Sequence, residues 1–364
     1  MYRYLFKYEF NMSFHTPKKD QCLQCTTFKN SNAEEKDELE QNYKHHIEEK
    51  ELSRTEKNND KEKISDLYQV YCFDLQAALP VPRGDVSSFY YKSRLNCYNF
   101  TVYQLHKKGL GHVDCYFWHE GEGKRGASEI GTYLLKFLKN RSKIATSEDL
   151  EIVLYSDNCG GQGKNKFIIT AFLYAVTNFK IKSITYKFLV VGHGQNEGDA
   201  SHSIIERAVK KALKNGPIYV PAHYSAIIGN ARKTEPKFSI HEMCHKDFVD
   251  LKVLNEKVAN SVFNVDADGN KFNFNDICVI KVDRCYPRRF FYKLSYKDKT
   301  FNFVEIQKIK RKKNFFDFKE VSLESAYLDR IPISQKKYDD LQSLLKNKSI
   351  PMAHQQFYQN LKIE

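Results

Sequence analysis

No run of about 18 apolar residues occurs in this 364-residue chain, so a transmembrane helix is not expected. The opening decapeptide MYRYLFKYEF lacks the apolar core of a secretory signal. Nine prolines and sixteen glycines are too few for a collagen-like or low-complexity chain. The nine cysteines are an odd number at scattered spacings, which argues against a disulfide framework and for reduced thiols in the nucleus or cytosol. What the chain has in excess is positive charge: 58 Lys and Arg stand against 45 Asp and Glu, a net +13. Such an excess suits a polyanionic partner, and DNA is the expected one, with no membrane partner. With 23 Tyr and 26 Phe there is enough apolar bulk for an aromatic-rich core.

Residues 1–63 read as a Cys-x-x-Cys segment followed by a charged arm. Residues 33–63 contain neither Pro nor Gly and are dense in Glu and Lys, which predicts a helix. Leu39, Tyr43 and Ile47 give it one narrow apolar stripe. Over 64–215 the pattern changes to strands at about 67–73, 89–105 and 112–118. A helix at 128–139, a strand at 150–155, a helix at 165–178, a strand at 184–191 and a helix at 199–214 follow. Short connections make the first three strands an antiparallel meander, and helical crossovers make the later ones parallel. This order is that of a ribonuclease H-like fold: an α/β domain with a mixed five-stranded sheet and flanking helices. Residues 216–330 read as a connector and a β-rich extension, and 331–364 as a C-terminal helix and tail.

Three acids mark element ends. Asp74 closes the first strand, Asp157 the fourth, and Asp199 opens the helix after the fifth. In a sheet of this order the first and fourth strands are neighbours, so Asp74 and Asp157 converge at the end where α/β sites form. Carboxylates so placed repel unless a cation neutralises them, and hard oxygen donors suit Mg²⁺ or Mn²⁺. His202 and Glu206 share a helix face with Asp199, and Glu206 competes with it for the third acidic position. Cys22 and Cys25, with His45 or His46 some twenty residues on, have donors suited to zinc, and His15 is a candidate fourth ligand. The glycine-rich stretch Gly160–Asn165 lacks the Walker A spacing, and the turn at 266–270 lacks the ligand positions of a calcium loop. A Cys159–His193 nucleophilic pair has no orienting third group. The cluster KIKRKK, with Lys310, Arg311, Lys312 and Lys313, reads as a DNA-backbone contact or a nuclear localisation signal.

Several segments together carry a resemblance: PKKDQCLQC at 17–25, FDLQAALPVP at 73–82, WHEGEGKRGASEIGTYL at 118–134, YSDNCGGQGKNK at 155–166 and GHGQNEGDASHSIIE at 192–206. The chain resembles a large, transposase-derived domain family of unknown function that is abundant in insect genomes. The resemblance implies a ribonuclease H-like core with a metal-binding triad of the DDE/DDD type. Asp74, Asp157 and Asp199 fall on its acidic positions, and His202 and Glu206 on its Asp-x-x-His-x-x-x-Glu stretch. Gly194 stands where Thr or Ser is usual after Gly-His. The expected function is that of a transposase-like protein, domesticated or truncated, whose divalent-metal core acts on DNA phosphodiester bonds in the nucleus. A homo-oligomer is compatible with this reading. The alternative is an inactive, transposon-derived nucleic-acid-binding protein.

Overall fold

The computed structural model describes residues 21–158, 163–194, 197–259, 263–306 and 317–364, together with Leu5, Glu9 and Phe10. Among the described residues, one ten-stranded mixed sheet carries the fold. Its centre is β1 (Tyr68–Leu75), whose apolar run continues through the acid that was read as its end. A short β2 (Leu79–Val81) follows β1, and the N-terminal α1 (Leu23–Asn30) and α2 (Ala33–Glu62) form a helical hairpin. The segment that follows β2 departs from the sequence reading. Ser87–Tyr91 form a helical turn, α3, because only Phe89 finds a buried site while Tyr90 and Tyr91 project into solvent. The strand expected over 89–105 is therefore confined to β3 (Leu95–Gln104).

β4 (Val113–His119) leads into α4 (Ala127–Ile144), which buries Ile130, Tyr133, Leu134, Phe137 and Leu138 at helical spacing. β5 (Glu151–Ser156) is followed by α5 (Lys166–Asn178), capped by Asn165, whose side chain accepts from the Phe167 and Ile168 N–H groups. β6 (Ser183–Phe188) leads to α6 (Glu197–Asn215) and then α7 (Pro221–Gly229). The inner strands run in the order β4-β3-β1-β5-β6. β1, β5 and β6 are parallel, and β3 is antiparallel to both β1 and β4. The sheet is wider than the five strands expected. β7 (Phe238–Glu242) adds in parallel beyond β4, and β8 (Val279–Asp283), β9 (Arg289–Lys293) and β10 (Asn302–Glu305) extend it antiparallel beyond β6. The 266–270 segment is a turn, with Asp266 Oδ1 accepting from the Asp268 and Asn270 N–H groups and Gly269 at φ +86.

Both faces are covered. Tyr71 and Phe73 of β1 point into the larger core with α4 and α5, while Val70 and Cys72 lie on the opposite face with Val153 and Tyr155. On that second face Ile205 and Val209 of α6 and Tyr224 and Ile228 of α7 pack with Leu341 and Leu344 of the C-terminal α8 (Gln335–Lys346). Lys164, from the glycine-rich stretch, is buried and donates to the Asn275 carbonyl at 2.8 Å, so it points into the protein and not toward a phosphate site.

The arm helix α2 crosses the sheet on polar contacts. Its buried residues are His46, Glu49, Ser53 and Asp60, and its apolar stripe serves α1 instead, with Tyr43 stacked on Phe28 at 3.9 Å. Asp60 is 1% exposed and accepts from Tyr68 Oη (2.8 Å), Tyr155 Oη (2.6 Å) and Lys187 Nζ (2.5 Å). Removing one member of such a buried ionic group leaves the others desolvated without compensation. Asp60→Ala is therefore expected to cost about 3–5 kcal/mol of unfolding free energy. Asp60→Asn, which keeps part of the network, should cost visibly less in the same denaturant titration.

Candidate functional site

The last registered pair between β1 and β5 is Cys72–Tyr155. Asp74 and Asp157 each stand two residues beyond it, so strand alternation sends both side chains to the same face at the same sheet end. That face is the one on which α6 packs across β1 and β3. Asp199 is the third residue of α6, His202 follows one turn later and Glu206 one turn after that. Ligand atoms of Asp74, Asp199 and His202 all lie within 4.8 Å of one another, a grouping that could hold a metal ion. Asp157 and Glu206 line the same cleft, a cavity of about 1240 Å³. Lys29 and Arg54 of the helical hairpin also line it, placing cations in the same cleft as the acids.

Asp74 and His202 are held from behind. The Leu75 N–H donates to Asp74 Oδ1 at 2.8 Å. His202 Nδ1 is 3.5 Å from Asp74 Oδ2, and its Nε2 is 3.0 Å from the hydroxyl of Thr101, the residue opposite Asp74 on β3. A Thr101 hydroxyl accepting from Nε2–H would leave the Nδ1 lone pair for a cation, the usual second-shell role. Burial drives the His202 pKa down to about 4, so its imidazole is neutral near pH 7. Burial, then the charges of Asp157 and Asp199, push Asp74 up to about 7. A carboxyl that resists ionisation beside two other carboxyls is a setting that would favour a bound cation.

A second group of donors borders the same cleft. Cys22 Sγ lies 3.2 Å from His46 Nε2, Cys25 Sγ lies 3.3 Å from His193 Nε2, and the two Nε2 atoms are 3.2 Å apart. All four donors lie within 4.8 Å of one another and could hold a metal ion. Of the two adjacent histidines it is His46, 8% exposed, that faces the thiols, whereas His45 is exposed. Neighbours on a helix point about 100° apart, so only one of the pair can serve. His193, on the connection after β6, supplies the fourth donor. Sequence spacing hid it, since it lies 147 residues from His46; the signal was the Gly-His-Gly at a strand end. Burial and the Lys50 charge lower the pKa of both histidines, which favours the neutral, ligating form.

His15, Cys159 and the basic residues Lys310, Arg311, Lys312 and Lys313 lie outside the described residues. No described helix is long and apolar enough to cross a membrane. A family model, Domain of unknown function (DUF7869), matches residues 104–259. The match includes Asp157, His193, Asp199, His202 and Glu206, while Asp74, Cys22, Cys25 and His46 fall before it. No curated protein and no solved structure matches the chain.

The raised Asp74 pKa has a consequence for the metal-free protein. A carboxyl that binds its proton more tightly when folded loses stability as pH rises from the unfolded value near 4 to the folded value near 7. Asp74→Asn should therefore stabilise the metal-free chain at pH 8, on the order of 2 kcal/mol, and leave it nearly unchanged at pH 4. Thermal melts in chelator at the two pH values measure this difference.

Proposed function

We propose that the chain is a transposase-like protein with a ribonuclease H-like core that uses divalent cations to act on DNA phosphodiester bonds. The strand order β4-β3-β1-β5-β6, with one antiparallel strand inserted beside β1, supports the fold reading. One observation carries the chemistry: Asp74, Asp157 and Asp199 come from three separate chain segments into one cleft, where burial and then the two neighbouring acids raise the Asp74 pKa. Oxygen donors of this kind take Mg²⁺ or Mn²⁺. Asp74, Asp199 and His202 would hold a first cation. Asp157 would reach a second, and Glu206 borders the same space. Such cations supply an activated water or 3′ hydroxyl and stabilise the leaving oxygen. The chain's own groups orient them: Thr101 fixes the His202 ring, and the Leu75 N–H fixes the Asp74 carboxyl.

Lys29 and Arg54 would take the phosphates of the bound strand, with the net +13 adding non-specific attraction. DNA as partner would place the protein in the nucleus. The thiolate and imidazole donors of Cys22, Cys25, His46 and His193 suit Zn²⁺ in place of a hard cation. A tetrahedral zinc keeps sulfur and nitrogen donors about 3.3–3.8 Å apart, close to the separations observed. The second reading is an inactive DNA-binding descendant. In its favour, the tight donor group contains Asp74, Asp199 and His202 without Asp157.

Mn²⁺-dependent nicking of supercoiled DNA separates the two readings. Asp74→Asn and Asp157→Asn should each abolish nicking while DNA affinity stays within about twofold, because neither adds bulk or removes a phosphate contact. Absence of nicking by the wild-type protein, with DNA binding intact, selects the inactive reading. The double variant Lys29→Ala/Arg54→Ala should make the log–log salt dependence of DNA binding shallower by about two units, near 0.9 per lost contact.

A further inference from the structure

Two glycines flank His193, and each abuts one of the two donor groups. Gly192 has φ +74, and a β-carbon there would lie 2.6 Å from Cys22 Cβ and 2.7 Å from Cys22 Cα. That approach is backbone against backbone, so only glycine fits it. A β-carbon on Gly194 would lie 3.4 Å from the Asp157 Cβ. The tripeptide Gly192-His193-Gly194 is thus a thin wall, with Cys22 on one side, Asp157 on the other and His193 turned toward the thiols.

Three chain segments meet at this wall. Cys22 and Cys25 come from the start of α1, His46 from α2, and His193 from the connection between β6 and the helix that carries Asp199 and His202. The arm grips the same helix a second time: Lys57 Nζ is 2.6 Å from Glu197 Oε2, and the Cys72 thiol donates to that oxygen at 3.2 Å. The apolar contribution to this junction is small, because the buried residues of α2 are polar. The polar contacts lay the arm along the sheet but do not reach the wall, where a four-ligand metal site would add a rigid, directional tie.

We propose that Cys22, Cys25, His46 and His193 form a zinc clamp that sets the geometry of the acidic pocket, so that loading the clamp is required for the pocket to bind its own divalent cation tightly. The proposal rests on the reading of the acidic pocket as a Mg²⁺ or Mn²⁺ site. The zinc touches no substrate, and His193 acts as a positioning residue. It holds the wall that backs Asp157 and leads into the helix bearing Asp199. Without the metal, the helical hairpin keeps its polar contacts to the sheet but the wall is no longer tied to it.

The test uses the full chain and two metals read separately. Wild-type protein should contain about one zinc per chain by elemental analysis, and should bind Mn²⁺ in a calorimetric titration. His193→Ala should lose the zinc and weaken Mn²⁺ binding at least about tenfold, the scale of second-shell losses at metal sites. His193→Cys restores a four-donor set and should recover both. Asp74→Asn should keep the zinc and lose the Mn²⁺. If His193→Ala does not fold, stripping zinc from the wild-type protein with a thiophilic chelator and adding it back gives the same comparison. A zinc-free protein that binds Mn²⁺ with wild-type affinity overturns the coupling. Wild-type protein without zinc, with Cys22 and Cys25 freely reactive to a thiol reagent, overturns the clamp itself. If the wild type holds zinc but takes up no Mn²⁺, the reading of the acidic pocket fails instead. The clamp is then judged by limited proteolysis: zinc removal must speed cleavage between residues 21 and 46, and unchanged cleavage overturns it.

Discussion

Like charges meeting at the end of two adjacent parallel strands are the constraint around which this structure is arranged. Asp74 and Asp157 leave the sheet at the same level because β1 and β5 pair in register, and α6 brings Asp199 to the same place. A fold gains nothing in stability from three carboxyls in a partly buried cleft; burial and neighbouring charge both work against the ionisation of Asp74. Around Asp74 stand a neutral histidine, a buried hydroxyl and one backbone N–H, which orient the donors, while Lys29 and Arg54 bring positive charge into the same cleft.

The helical arm answers a different problem. A 30-residue helix whose narrow apolar stripe serves α1 has no apolar face left to hold it on the sheet. Here the sheet offers it Tyr155 and Lys187 on the strands it crosses, and the helix returns Asp60 and Glu56. Buried ionic groups of this sort add little net stability, but they admit few alternative registers. The arm is thereby laid along one line over β1, β5 and β6, and that line ends with His46 beside Cys22.

Much of the core was legible in the chain because its helices are amphipathic and its strands short and apolar. Five of the ten buried positions of α4 followed from 3.6-residue periodicity, and the capping of α5 by Asn165 agrees with where that helix begins. Residues 89–94 depart from the expected strand because Phe, Tyr and Tyr in succession look like one; whether such a run is a strand depends on how many of its rings find cover, and only Phe89 does. The extra strands β8 to β10 fall in the stretch that reads as β-rich, while β7 lies in what reads as a connector, and nothing local says that the edges of one sheet will receive them.

The sequence by itself determined the kinds of donor available: acids at the ends of strands, a Cys-x-x-Cys, a pair of histidines on a helix. Local rules suffice there, since spacing within one helix or one strand follows from 3.6- and 2-residue geometry. Only the tertiary structure decided which donors meet. The choice of His46 over His45 depends on which way α2 rolls on the sheet, and the recruitment of His193 depends on where β6 ends relative to α1. Both are set by packing and pairing between segments far apart in the chain, a relation that no local pattern of residues encodes.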